Sequence, residues 1–166
     1  MKNNINTAGD EKCVFIHPDG NTLFFTSNGR KESIGSYDIY YCTGGHGNWS
    51  EPVNMGYPIN TPEDNLNFRL ASDDRFAYVS AVRKEGFGGL DMFRSYSTGD
   101  KKWGNVENLR YPLNSPEHDF GIILERNTDR RGVFTSSRKG TRGHDDIFNF
   151  NIPPILFKYG VEVNNR

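Results

Sequence analysis

The residues of this sequence that could carry out chemistry recur along the chain at nearly constant spacing. Three aspartates, at intervals of 53 and 55 residues, are each followed by an apolar residue and an aromatic one: Asp38, Asp91 and Asp146. A carboxylate at such a place can bind a ligand or a metal ion. A residue required in every copy of a unit is more simply explained as a hydrogen-bond acceptor that fixes a turn. We therefore predict a structural role for these aspartates.

The histidines offer little for metal binding or nucleophilic catalysis. They share no ligand spacing: His17, His46, His118 and His144. The chain has no Gly-x-Ser-x-Gly segment, which a nucleophile elbow would need. Most acids come as repeat copies, such as Glu63 with Glu117, whereas a catalytic acid is needed once. The prediction is a protein without enzymatic activity, metal site or cofactor, with its histidines in solvated turns.

Basic pairs are the residues most suited to binding a partner. One Arg-Lys pair falls in the same inter-strand loop of each unit: Arg30-Lys31, Arg83-Lys84 and Arg138-Lys139. Together they would line one rim of the molecule and receive an anionic glycan or an acidic protein through charge-assisted hydrogen bonds. The alternative is that these side chains pair with aspartates of neighbouring units.

These side chains belong to a tandem repeat of about 54 residues. Trp49 and Trp103 are 54 residues apart, as are Asn60 and Asn114. We interpret these residues as structural repeat positions. The predicted units are 6–59, 60–113 and 114–152, and residues 153–166 would begin a following β segment or a truncated linker.

The repeat predicts an all-β fold. Eighteen glycines, a 13% aromatic share and only 34% hydrophobic residues suit short strands joined by tight turns. Each unit contains about four strand-sized segments, among them Trp49 to Met55 in the first unit and Asp119 to Leu124 in the third. The second strand of each unit is apolar on both alternating faces, as Phe24 beside Phe25 shows. A strand of that kind must be covered on two sides. The expected architecture is a partial β-propeller of about three four-stranded antiparallel blades.

Two segments, His-Pro-Asp-Gly-Asn-Thr-Leu-Phe-Phe-Thr-Ser-Asn-Gly-Arg at 17–30 and Gly-Ser-Tyr-Asp-Ile-Tyr at 35–40, resemble the WD40-like, TolB-type β-propeller repeat. The resemblance covers about residues 6–157. It is greatest to the propeller segment of OmpA-family, peptidoglycan-associated envelope proteins. It implies a non-catalytic interaction or scaffolding module in the periplasm or at the outer membrane of a Gram-negative bacterium, with a protein or glycan partner. The peptidoglycan-binding domain of that family is absent, and the third unit lacks a Trp-led outer strand.

Other readings stay open at this stage. A propeller-type glycoside hydrolase fragment would need two unrepeated carboxylates across a cleft. A net charge of −1 does not favour nucleic acid or an anionic membrane, and no apolar stretch is long enough to span a bilayer. Three blades leave sheet faces uncovered, so the chain is either a fragment or one half of a six-bladed homodimer. A disulfide between Cys13 and Cys42 is neither required nor excluded.

Overall fold

The computed structural model describes residues 4–126, 128, 130–140, 142–152 and 162–165. This part of the chain is all-β, with strands and connecting turns but no helix, as predicted. Within it, no helix is long and apolar enough to cross a membrane. The strands are β1 (Glu11–Ile16), β2 (Thr22–Ser27), β3 (Asp38–Gly45), β4 (Asn48–Trp49), β5 (Val53–Asn54), β6 (Asn65–Leu70), β7 (Phe76–Ala81), β8 (Asp91–Gly99), β9 (Lys102–Asn108), β10 (Asp119–Leu124), β11 (Arg131–Ser136), β12 (Asp146–Asn151) and β13 (Glu162–Asn165).

The strands form three antiparallel sheets in chain order. The first sheet has the order β1-β2-β3-β4 with β5 also paired to β3, the second β6-β7-β8-β9, and the third β10-β11-β12-β13. The first sheet has five strands because Pro52, which has no N–H to donate, separates β4 from β5 in the segment predicted as one strand. The fourth strand of the third sheet lies beyond the predicted unit 114–152. Residues 153–161 and 166 of the predicted tail lie outside the described residues.

The first strand of each sheet contains the same irregularity. The pairings of β1, β6 and β10 with their neighbours each shift by a bulge. Three residues at equivalent positions there have positive φ: Cys13 at 56°, Asn67 at 49° and Gly121 at 68°. Left-handed backbone suits glycine and asparagine better than cysteine. The repeat is therefore kept at the level of backbone conformation even where the residue type changes.

The sheets pack face to face. Strand β6 lies against β1, β2 and β3, and β10 lies against β6, β7 and β8. Between the first two sheets, the rings of Phe24 and Phe68 stand 4.7 Å apart within a buried cluster. Between the second and third, Met92 and Phe134 belong to a second cluster. Burial of these apolar faces is the main stabilising contribution to the stack.

Three short segments, which we call the wedges, connect or begin the sheets: Ile5-Asn6, Ile59-Asn60 and Leu113-Asn114. The buried Asn60 side chain accepts from the Ile39 amide and donates to the Ile39 carbonyl, both at 2.8 Å. Asn114 makes the same two bonds, at the same distances, with Met92. Asn60 and Asn114 thus each tie their own sheet to the sheet before it.

Candidate functional site

A cleft of about 350 Å³ lies between the first and second sheets. We call it the His17 cleft. Its rim is formed by turns from both sheets, and its wall is apolar and aromatic. The residues on which the argument rests are His17, Asp19, Asp74, Asp100, Lys101 and Trp103. A volume of this size is within the range of small-molecule sites.

His17 stands between two carboxylates from different sheets. Its Nδ1 is 2.8 Å from Asp19 Oδ1, and its Nε2 is 3.0 Å from Asp74 Oδ1. Burial lowers the pKa of His17, but the hydrogen bonds to Asp19 and Asp74 outweigh that effect, so the pKa is raised above its ordinary value. The pKa of Asp19 is lowered by the Asn21 amide and by His17. The cluster therefore favours an imidazolium between two carboxylates.

The turns that hold these groups follow from their sequences. In the first sheet, Gly20 adopts φ of 75° and its amide donates to the His17 carbonyl at 2.9 Å. In the second sheet, Asp74 takes the equivalent position, with φ of 57° and a bond from its amide to the Ala71 carbonyl. The left-handed backbone that glycine adopts easily is thus occupied by an aspartate whose carboxylate meets His17.

The wall of the cleft is aromatic. Trp103 packs edge-on against Phe68 with ring centroids 5.9 Å apart, and Phe24 lies beside them. The buried Nε1 of Trp103 has no hydrogen-bond partner among the described residues. In the turn between β8 and β9, Lys101 Nζ is 3.0 Å from Asp100 Oδ1. The cleft therefore combines hydrogen-bond acceptors with a flat apolar surface. Trp49, the repeat counterpart of Trp103, packs instead against a separate cluster of the first sheet.

The arginines of the predicted rim are engaged within the chain. Arg83 is buried and donates to the carbonyls of Pro58 and Ile59 at 3.0 and 2.6 Å, while its guanidinium lies over the Phe93 ring. The other two arginines make the equivalent contacts. Arg30 donates to the carbonyls of Asn4 and Ile5 and lies over the Phe25 ring. Arg138 donates to the carbonyls of Pro112 and Leu113 and lies over the Phe134 ring. The planar guanidinium suits this double role.

The paired lysines behave differently from the arginines. Lys31, Lys84 and Lys139 are all exposed, and the Lys84 side chain is 90% exposed with its Nζ 3.7 Å from Glu85. The lysines, rather than the arginines, therefore form the exposed part of the predicted rim. Arg138 does pair with an aspartate, since its guanidinium is 2.6 Å from the buried Asp119. Asp119 belongs to the same unit, so this contact is not the pairing between neighbouring units that the alternative predicted.

The repeated aspartates are the first residues of β3, β8 and β12. Asp38 accepts from the amides of Ile34 and Gly35, and Asp91 from those of Phe87 and Gly88. Asp146 accepts from the amides of Arg142 and Gly143. Burial raises the pKa of Asp91 in spite of these amide donors. In each sheet the carboxylate closes one loop onto the strand that follows.

Neither a disulfide nor a metal cluster is formed by the described residues. Cys13 and Cys42 are both free, and burial raises the pKa of the Cys42 thiol to about 11. No group of three His, Cys, Asp or Glu side chains there is arranged to hold a metal ion.

Sequence reasoning missed most of the cleft. His17 was interpreted as a solvated turn residue, and neither Asp74 nor Lys101 was singled out. One signal was present, because the positions equivalent to His17 hold Ala71 and Glu125 in the other units. A histidine found in a single copy is less easily explained by the fold.

Comparison with known proteins gives one informative likeness. No protein-family model matches the chain, and no curated protein matches it. Among solved structures, it is similar to a crystal structure from Bacteroides uniformis described as a putative 6-phosphogluconolactonase, with 16% sequence identity and a TM-score of 0.51. The match covers 95% of this chain and 40% of the other, so this chain spans less than half the length of that protein.

This likeness corrects one expectation. The sequence predicted that the protein has no enzymatic activity, and the finding contradicts that prediction because the similar structure is described as an enzyme. At 16% identity the likeness shows a shared fold, and the reaction of that protein is not carried over with it.

Proposed function

We propose that the three sheets are blades of a β-propeller and that the chain is the interaction segment of a Gram-negative envelope protein. The face-to-face packing of β6 on the first sheet and β10 on the second supports this architecture, as does the repetition of the wedge contacts. The envelope location follows from the resemblance to TolB-type repeats of OmpA-family proteins. A propeller presents its turns on a rigid support, which suits binding.

The ligand we propose is a neutral glycan bound in the His17 cleft. The observation that carries this proposal is the combination of Trp103 and Phe24 on one wall with the carboxylates of Asp19 and Asp74 on the rim. A sugar ring stacks its apolar face on an aromatic side chain and donates its hydroxyl protons to carboxylates. Three aspartates beside one histidine and one lysine do not favour a phosphorylated sugar.

The test is a binding titration with neutral oligosaccharides. Asp74→Asn should weaken binding at least about tenfold, since a charge-assisted hydrogen bond contributes about 1.5–3 kcal/mol. The matched control is Asp73→Asn. Asp73 is the repeat counterpart of Asp19 but pairs with the exposed Arg75, so its replacement should leave the affinity unchanged. If no saccharide binds, or if both variants weaken binding equally, the proposal is wrong.

A second candidate function is hydrolysis of the bound saccharide, as in a propeller-type glycoside hydrolase. Asp74 and Asp100 favour it, because both line the cleft. Neither is a repeat copy, since the equivalent positions of the first unit are Gly20 and His46, which have no carboxylate. His17 beside Asp74 could also act as a general base. The same saccharides, analysed for cleavage products with the wild type and with His17→Gln, decide between binding alone and turnover.

A further inference from the structure

A second cavity lies beside the second sheet and shares no lining residue with the His17 cleft. It has a volume of about 500 Å³, and we call it the Arg83 cavity. Its wall is built from the segment between the first two sheets, from the loop after β7 and from β9. The second sheet has another sheet packed on each side of it, through β6 and β10. The cavity is therefore not one of the faces at the two ends of the stack. Its lining includes Tyr57, Glu63, Arg83, Lys84, Glu85 and Asn105.

Arg83 places a buried positive charge at this cavity. The residue is only 9% exposed. Its Nη2 donates to the carbonyls of Pro58 and Ile59, and its buried Nε has no partner among the described residues. Carbonyl oxygens accept hydrogen bonds but do not neutralise the charge, and an unpaired buried charge is costly. Burial lowers the pKa of Arg83 in spite of the nearby carboxylates of Glu85 and Glu63. The guanidinium therefore has both a donor and a positive charge to offer to an anion.

The other two units have a carboxylate at a position where the second unit has an amide. Glu11 begins β1 and Asp119 begins β10, whereas Asn65 begins β6. These three residues are equivalent because each pairs with the last residue of the following strand: Ser27, Ser136 and Ala81. In the third unit, Asp119 is 2.6 Å from the Arg138 guanidinium. Asn65 is neutral, so Arg83 has no carboxylate at the position from which Asp119 neutralises Arg138.

The charges along the cavity wall favour a singly charged anion. The Lys84 and Glu85 side chains are 90% and 58% exposed and stand 3.7 Å apart, so this pair contributes little to the charge balance of the site. Glu63 is also exposed. Two carboxylates repel a doubly charged phosphate more strongly than they repel a carboxylate. Tyr57, which is 79% exposed, offers a flat ring in the same cavity.

We propose that the Arg83 cavity binds the carboxylate group of a small ligand, which pairs with Arg83 as Asp119 pairs with Arg138 in the third unit. The contact is a charge-assisted hydrogen bond of the kind that arginine forms with carboxylates. The Tyr57 ring packs against the part of the ligand next to the carboxylate. This proposal does not depend on what the His17 cleft binds.

The experiment is a ligand titration followed by the backbone amide NMR signals of the protein. The probe is N-benzoylglycine, whose ring can stack on Tyr57, and the matched probe without a negative charge is N-benzoylglycinamide. The carboxylate probe should bind at least about tenfold more tightly than the amide probe, because a charge-assisted hydrogen bond replaces a neutral one. Inorganic phosphate should bind more weakly than N-benzoylglycine. The signals of Lys84 and Glu85 should shift on binding, whereas those of Asp19 and Asp74 in the His17 cleft should not.

Variants that leave Arg83 and its two backbone contacts in place test the site without removing a buried side chain. Asn105→Asp adds a carboxylate to the cavity wall at an exposed position, and like-charge repulsion should weaken the binding of N-benzoylglycine at least about threefold. Glu63→Gln removes a negative charge from the wall and should strengthen binding. The matched control is Asn48→Asp, which adds the same charge at an exposed position of β4 and should leave the affinity unchanged. Circular dichroism of each variant confirms that it is folded.

Four results would overturn the proposal. The first two are the absence of saturable binding and an equal affinity for the amide probe. The third is tighter binding of phosphate than of N-benzoylglycine. The fourth is an affinity of Asn105→Asp that is no weaker than that of Asn48→Asp, or a weaker affinity of Glu63→Gln than of the wild type.

Discussion

Replacing Asn60 with alanine removes the side chain that ties the second sheet to the first. Asn60 is fully buried and forms two hydrogen bonds with the Ile39 backbone and one, at 2.7 Å, with Asn54 Oδ1. In the variant, the Ile39 carbonyl keeps the Met55 amide as a donor, but the Ile39 amide loses its partner. An unsatisfied buried amide costs about 1–3 kcal/mol and a lost hydrogen bond about 1, so we expect the free energy of unfolding to fall by about 2–4 kcal/mol.

The assay is urea unfolding followed by tryptophan fluorescence at one fixed protein concentration. Asn114→Ala should cost a similar amount, because Asn114 makes the same bonds with Met92 and with Asn108. Asn60→Asp keeps the acceptor for the Ile39 amide but buries a carboxylate, so its loss should be larger than that of the alanine variant. The control is Asn105→Ala, an exposed position of β9, where a change within about 0.5 kcal/mol is expected.

Two results would refute this reasoning. A loss below about 1 kcal/mol for both Asn60 and Asn114 would show that the wedge bonds add little to the stack. An equal loss for Asn105→Ala would show that the effect comes from removal of any asparagine side chain rather than from the contact between sheets.

Three further outcomes are expected. Cys13→Asn should stabilise the protein by about 0.5–1 kcal/mol in urea unfolding, because it relieves a left-handed cysteine, while Val14→Asn should bring no gain. Because the pKa of His17 is raised, its contribution to stability is complete below the unfolded-state pKa and is lost as pH rises through the folded-state pKa. The melting temperature should therefore fall over that pH window. His17→Gln should flatten the dependence of the melting temperature on pH. Arg138→Ala breaks a pair with a buried carboxylate and should cost about 3 kcal/mol, whereas Arg131→Ala, at an exposed pair, should cost less than about 1 kcal/mol in the same assay.

Strand positions could be predicted because the local sequence determines them. Asp119–Leu124 was predicted as a strand with the bounds that β10 has. The segment is apolar, of strand length and bounded by polar residues, so its pattern does not depend on distant parts of the chain. The split of the predicted strand from Trp49 to Met55 is also local in origin, and Pro52 was visible in the sequence as its cause.

The cleft could not be predicted in the same way. His17 and Asp74 are 57 residues apart, and they meet only because the first sheet packs on the second. The direction of the Asp74 side chain depends on a left-handed backbone, at the position that Gly20 occupies in the first unit. Both conditions are properties of the assembled sheets rather than of a sequence window.

The arginines show a different limit of sequence reasoning. A charged pair in a loop indicates exposure, and this holds for Lys84. Arg83 instead bonds to two wedge carbonyls and lies over the Phe93 ring. The length and planarity of the guanidinium allow it to reach back beneath the wedge, and spacing alone does not distinguish this arrangement from a surface rim.

Departures from the repeat identify the residues that the fold does not require. Gly20 adopts its left-handed turn without steric cost, whereas Asp74 in the equivalent turn pays about 1–2 kcal/mol for the same backbone. That cost is offset in part by the two carboxylate contacts to His17, which itself replaces the small residue found at Ala71. Both residues of the pair thus differ from their repeat counterparts, and they differ where the first and second sheets enclose a cleft with an aromatic wall. A pair that is locally unfavourable and jointly placed supports the proposal that the cleft binds a ligand.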